Sequence, residues 1–287
     1  MSYSFSDDFV WGTATAAHQV EGGTWNNDWW AFEHKPGSGT LEPAGDACDH
    51  FWRYPSDIAL LADLGFGAYR FSLEWSRIEP DEGEFSVAAL DHYRRMCDTT
   101  IEHGLVPVVT YHHFTTPRWA VTDGGWTDPA IVDRFARFCE RATAHLGDRI
   151  GMAATINEPN IVSLMGYMVG AFPPGHRDLG EYALANDYLK AAHRKGYAAI
   201  KAGPGDFPVG STVAMGDWWR HRVPSRCSNR PAGCTRGNTS KRRPVTISSA
   251  CRPTPAPGWT PTDSRPAPRR ASRPSSWATS TGRTRWR

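Results

Sequence analysis

Residues 151–159 read GMAATINEP. The run from Gly151 to Ile156 holds only small, apolar or β-branched residues, and it stops at Asn157, Glu158 and Pro159. A short run without alternating polar positions is the pattern of a strand buried on both faces, as in a parallel sheet. Pro159 suits the first turn of a helix, so Glu158 stands where a strand hands over to a helix. That place presents a carboxylate, either as a catalytic acid or as a helix-start acid stabilised by the dipole.

The same type of run recurs at 9–17 (FVWGTATAA), 67–75 (GAYRFSLEW), 105–113 (LVPVVTYHH) and 208–216 (PVGSTVAMG). Helical patterns lie between them. DIALLADLGF (57–66) stops at a glycine, as helices commonly do. In PAIVDRFARFCERATAHLGD (129–148), apolar residues return at three- and four-residue steps, and ALANDYLKAAHRKGYAAIKAG (183–203) repeats the pattern. Strand alternating with helix predicts a parallel α/β fold. No GxGxxG or P-loop follows the first strand, which argues against a nucleotide site. Instead, polar residues gather at the C-terminal ends of strands: Arg70 and Glu74, His112 and His113, Asn157 and Glu158. Barrel enzymes build their active sites there. The strands recur every 50 residues or so, and a full eight-stranded barrel would need about 400 residues at that spacing. The chain therefore predicts a partial (β/α)8 TIM barrel, with about five of eight strands, leaving its first and fifth strands as edges.

Composition divides the 287 residues near position 219. From Arg220 to Arg287 there are 15 Arg and 1 Lys against one acid, Asp263, with 10 Pro and no Leu, Phe, Tyr or Met. The net charge of +2 is thus the sum of −13 in residues 1–219 and +15 in the tail. Residues 1–219 are expected to be the barrel part. Residues 220–287 are expected to be irregular, and either disordered, out of frame, or a basic arm that binds nucleic acid electrostatically. The last is disfavoured because no aromatic residues interleave the basic ones in a stripe. Translation out of frame is favoured. Back-translating SWATSTGR (276–283) one nucleotide earlier permits Met-Gly-Tyr-Glu-Tyr-Trp-Pro. The start, MSYSFSDDFVWG, lacks the basic and apolar regions of a secretory signal, and no apolar stretch is long enough for a membrane span. The expectation is a cytoplasmic chain without membrane contact. Its widely spaced cysteines read as buried free thiols rather than metal ligands.

Four stretches carry a resemblance: AAHQVEG (16–22), YRFSLEWSRI (69–78), VVTYHHFTTP (108–117) and TINEPN (155–160). In order and spacing they resemble the family 1 glycoside hydrolases, the β-glucosidases and their relatives. The resemblance runs from about Phe5 to Asp217. It implies a retaining hydrolase acting on β-glucosides or short oligosaccharides, with no metal or organic cofactor. Retaining enzymes use two carboxyl groups, one as nucleophile and one as acid, then base. By resemblance Glu158 is the acid/base, Asn157 binds the sugar 2-hydroxyl, Gln19 and His113 bind other hydroxyls, and Arg70 lies under the nucleophile. Arg70 also reads as a structural charge needing a partner. The tryptophans Trp11, Trp25, Trp29 and Trp30 read mostly as core. The chain departs from the family in one respect. The family nucleophile is a glutamate in a TENG-like motif on the seventh strand, and no such motif occurs here; the tail has no glutamate at all. Glu74 and Glu21 lie near strand ends, but neither position is the nucleophile in the family. The chain as written is expected to lack the nucleophile and to be inactive, leaving a sugar-binding fragment or a decayed gene product as the alternative.

Overall fold

A computed structural model describes residues 4–6, 8–216 and 246–250. The rest of the tail lies outside the described residues. Five strands, β1 (Gly12–Ala14), β2 (Ala68–Ser72), β3 (Val106–His112), β4 (Met152–Asn157) and β5 (Val209–Gly216), pair in parallel in chain order and curl into a half-barrel. Helices join them: α1 (Ala17–Val20), α2 (Asp28–Glu33) and α3 (His50–Asp63) after β1, then α4 (Trp75–Ile78) and α5 (Val87–Glu102) after β2. After β3 come α6 (Arg118–Val121) and α7 (Ala130–Leu146), and after β4 come α8 (Pro159–Ser163) and α9 (Leu179–Ala202). Within the tail, Thr246–Ala250 forms β6, antiparallel to β5, so the fifth strand is not the open edge its sequence suggests.

All five expected strands are present, trimmed at their ends. The stretch 9–17 shrinks most, to three residues, because Ala17 already begins α1. The residues ahead of β1 form an exposed aromatic cluster instead, with Phe5, Phe9 and Trp11 rings 4.4–4.9 Å apart. Helix α3 starts at His50 rather than Asp57 and carries Pro55 inside it, a residue that argues against a helix interior. The tryptophans differ from expectation too. Trp11 and Trp25 are exposed in the segments flanking β1, and Trp29 and Trp30, on the short helix α2, are half-buried. Cys97 and Cys139 are buried free thiols as expected, whereas Cys48 is exposed.

The core lies between the sheet and its helices. Trp75 stacks on Phe138 with centroids 5.1 Å apart, and its indole N–H donates to Glu79 Oε2 at 2.7 Å. Helices α7 and α9 pack closest of all, through Gly196: a Cβ there would meet Phe135 Cε1 at 2.8 Å and Cys139 Sγ at 3.2 Å. Above the strand ends, buried carboxyl groups tie the loops together. Glu21 accepts from Arg77 Nε and from the Tyr93 hydroxyl, each at 2.9 Å. Glu74 accepts from the Ser76 and Thr115 hydroxyls at 2.6 and 3.0 Å. Asp28 Oδ1 accepts the Trp29 and Thr116 amides at 2.8 and 2.9 Å. Burial pushes the Glu21 carboxyl up to about 7 against the pull of Arg77, and the Asp28 carboxyl up to about 8 against those amide hydrogen bonds.

Two outcomes follow from this packing. Gly196→Ala gains about 1 kcal/mol of helix propensity but overpacks the helix contact by about 1–3 kcal/mol, so its urea midpoint should fall; an unchanged or higher midpoint would show that α7 and α9 have room to give. Asp28 and Glu21 keep their protons in the folded chain well above the value near 4 at which an unfolded carboxyl loses them. Their contribution is complete below about pH 4 and is lost as pH rises through about 7 and 8. Asp28→Asn, which keeps an acceptor but cannot ionise, should therefore gain melting temperature relative to the parent between pH 4 and pH 8, and a pH-independent difference would contradict it.

Candidate active site

The site grows from a guanidinium inside the sheet. Arg70, in the middle of β2, stands opposite Ala14 on one side and Val108 on the other. Its Nε donates to Thr110 Oγ1 on β3 at 2.8 Å, and its Nη2 donates to Asn157 Oδ1 on β4 at 2.7 Å. Asn157 Oδ1 also accepts from Thr212 Oγ1 on β5 at 2.8 Å. One amide oxygen thus receives two donors, which turns the Asn157 NH2 group away from the sheet interior as a free donor. Among the described residues no carboxylate lies within 4 Å of Arg70, although burial lowers its pKa and Glu158 opposes that shift. This guanidinium is satisfied by neutral oxygens and keeps an uncompensated charge.

Glu158 follows at the end of β4. Its backbone is left-handed (φ 50°, ψ 57°), a conformation that costs a side-chain-bearing residue about 1–2 kcal/mol. The cost is met by context: its N–H donates to Thr212 O at 2.9 Å, and its carbonyl accepts from Ile161 and Val162 as α8 begins at Pro159. The left-handed turn swings the carboxyl out of the strand line, and no cap hydrogen bond holds it to the helix. A helix-start role for Glu158 would therefore rest on the dipole alone. Glu158 is half-buried, and burial raises its carboxyl above the ordinary carboxylate range while Arg70 pulls it down. Those opposed influences suit a group that must hold a proton and later give it up.

His113 follows β3 directly. Burial, helped by Arg70 and His112, pushes its imidazole down to about 3, so it is neutral in ordinary conditions, and its Nδ1 has no partner. A neutral imidazole offers one donor and one acceptor, the combination that a hydroxyl group uses. His112 is held differently, bonded to Thr116 at 3.2 Å and packed on Trp126. Gln19 lies on α1, above the end of β1, with its side chain exposed. The structure thus links Arg70, His113, Asn157 and Glu158 electrostatically or by hydrogen bonds, and sets Gln19 at the same end of the sheet without contact to them. Glu74 and Glu21, the other carboxylates near strand ends, are fully engaged below the surface.

Thr110 and Thr212 escaped the sequence reading. Their signal was faint: each is a hydroxyl inside an apolar strand, and only the register shows that both aim at the Arg70–Asn157 pair. Two cavities of about 500 and 560 Å³ open among the described residues, the second lined by Phe114, Trp126 and Tyr167; neither is lined by Glu158, Asn157 or His113.

Relatives share this arrangement of strands and the sequence around it. The chain is 37% identical over 200 residues to β-glucosidase A of Acetivibrio thermocellus, covering 67% of this chain and 44% of that one. It is 42% identical to coniferin β-glucosidase of Pinus contorta, over 66% of this chain and 40% of the relative. Its structure resembles the β-glucosidase from Thermotoga maritima in complex with glucoimidazole with a TM-score of 0.70 and 34% identity, covering 72% of this chain and 49% of that chain. The chain therefore spans about half the length, or less, of the relatives it matches. Residues 1–226 match the family model itself, and with the four motifs set at successive strand ends this chain belongs to glycosyl hydrolase family 1.

Proposed function

We propose that the chain carries the acid/base half of a retaining β-glucosidase site, acting in the cytoplasm on β-glucosides or short oligosaccharides. The observation that carries the reading is the Arg70–Asn157–Thr212–Glu158 assembly. Glu158 would protonate the leaving oxygen and then, ionised, activate water. The Asn157 amide, fixed from two sides, would donate to a sugar hydroxyl, and His113 and Gln19 would hold others. No cofactor is needed for this chemistry. Arg70 would face the nucleophile's carboxylate, which residues 1–287 do not supply in a TENG-like motif. The chain as written then binds a sugar without turning it over.

Incubating the purified chain with a chromogenic β-glucoside tests this reading, with nitrophenolate release no greater than the blank as the expected result. Turnover that falls by about a thousandfold in Glu158→Gln would instead show a working acid/base with its nucleophile elsewhere in the chain. The origin of the tail has its own test. We infer that residues 220–287 are read out of frame, so sequencing the encoding DNA from codon 210 onward should reveal another frame that continues into a Glu-bearing strand. A single frame closed after codon 287 would mean that the tail is genuine.

A further inference from the structure

The 500 Å³ cavity lies outside the Glu158 site, between the loop after β1, the start of α3 and the first turn of α5. It is within the size range of small-molecule sites. Trp25 and Trp52 stand at its rim, 62% and 74% exposed. Large flat rings left in water on both sides of a cleft are suited to stack on a ligand face. Behind them, the Phe51 ring carries the Arg77 guanidinium 4.2 Å from its centroid and the His92 imidazole stacked at 3.8 Å.

The cavity is also positively biased. Arg77 and Arg95 line it, and no acidic side chain does, although residues 1–219 carry a net charge of −13; Arg77 is paired behind the wall with Glu21 at 2.9 Å, so Arg95 supplies the unpaired charge. Arg95 is exposed and forms no ion pair among the described residues. Helix α5, 16 residues long, begins in the wall with no acid in its first turn; its N-cap Ser86 hydroxyl accepts the Ala89 amide at 3.2 Å, and Ala88 also lines the cavity. A second, independent feature points to a ligand. His92, one and a half turns along α5 and part of the same wall, is only 4% exposed, yet its Nε2 has no hydrogen-bond partner. Burial, reinforced by Arg95 and Arg77, keeps the ring neutral by lowering its proton affinity to about 4. Buried polar atoms of this kind normally find a partner. Asn26 donates its amide hydrogen to Pro80 O at 2.9 Å, leaving its carbonyl oxygen to accept from a hydroxyl.

We propose that this cleft binds a sugar ring bearing one anionic group, a carboxylate or a phosphate. The indoles of Trp25 and Trp52 take the C–H faces of the ring. Arg95 and the Ala88 amide take the charge, with Arg77 behind them, His92 Nε2 donates to a ligand oxygen, and Asn26 accepts from a ring hydroxyl.

Titrating the tryptophan fluorescence of the full chain with glucose 6-phosphate, glucuronate, glucose and inorganic phosphate tests this assignment. At least one acidic sugar should bind about tenfold more tightly than either glucose or phosphate alone, and which one binds identifies the anion. Arg95→Ala and Trp52→Ala, both at surface positions, should each weaken that binding about tenfold while leaving the far-UV circular dichroism unchanged. Glu158→Gln should not alter it. The assignment is overturned if no acidic sugar saturates the signal at millimolar concentration, if glucose or phosphate alone binds as well as the acidic sugars, or if the loss appears in Glu158→Gln rather than in Arg95→Ala.

Discussion

A guanidinium inside a parallel sheet is the constraint on which the rest of the site depends. Arg70 reaches Thr110 and Asn157, 40 and 87 residues away in sequence, and through Asn157 it reaches Thr212 on the fifth strand. A half-buried charge of this kind is tolerated best where its N–H groups find acceptors, and two of those of Arg70 do. Meeting that demand fixes the lateral register of four strands, and the register fixes where Asn157 and Glu158 emerge. Slipping one strand by a residue would send these side chains to the other face and leave the guanidinium without acceptors.

The carboxyl groups of this end of the barrel divide by how their charge is handled. Glu79, fully buried, receives Trp75, Gly83 and Arg137 and is a structural anion. For Glu21, buried, and Asp28, half-buried, desolvation outweighs the partners that each has and raises the carboxyl toward neutrality. Glu158 is half-buried and uncapped, with burial and the charge of Arg70 acting on it in opposite directions. Similar side chains are thus held in different charge environments according to what surrounds each. The left-handed backbone of Glu158 belongs to the same logic, since a strained residue persists where its surroundings over-determine it.

Much of this was legible in the chain. The strands at 67–75, 105–113, 151–159 and 208–216 stood out because burial on both faces leaves no alternation, and α7 stood out because its apolar stripe repeats at helical spacing. What escaped did so for physical reasons. The strand at 9–17 was overdrawn because Ala16 and Ala17 suit strand and helix equally. The start of α3 was hidden behind Pro55. Trp11 and Trp25 read as core because hydrophobicity alone does not say that a loop carries them, and Trp29 and Trp30 because it does not say that the short helix α2 leaves them half-buried.

By itself the sequence determined the fold class, the order of the strands and the candidates at their ends, because those follow from local periodicity and from residue chemistry. Only the tertiary structure decided that Thr110 and Thr212 hold Arg70 and Asn157, that Glu158 leaves its strand uncapped, and that Arg95, His92 and two exposed indoles share one cleft. Those facts depend on residues far apart in the chain meeting across strands and between helices, and contacts of that range are set by packing and register rather than by any local pattern.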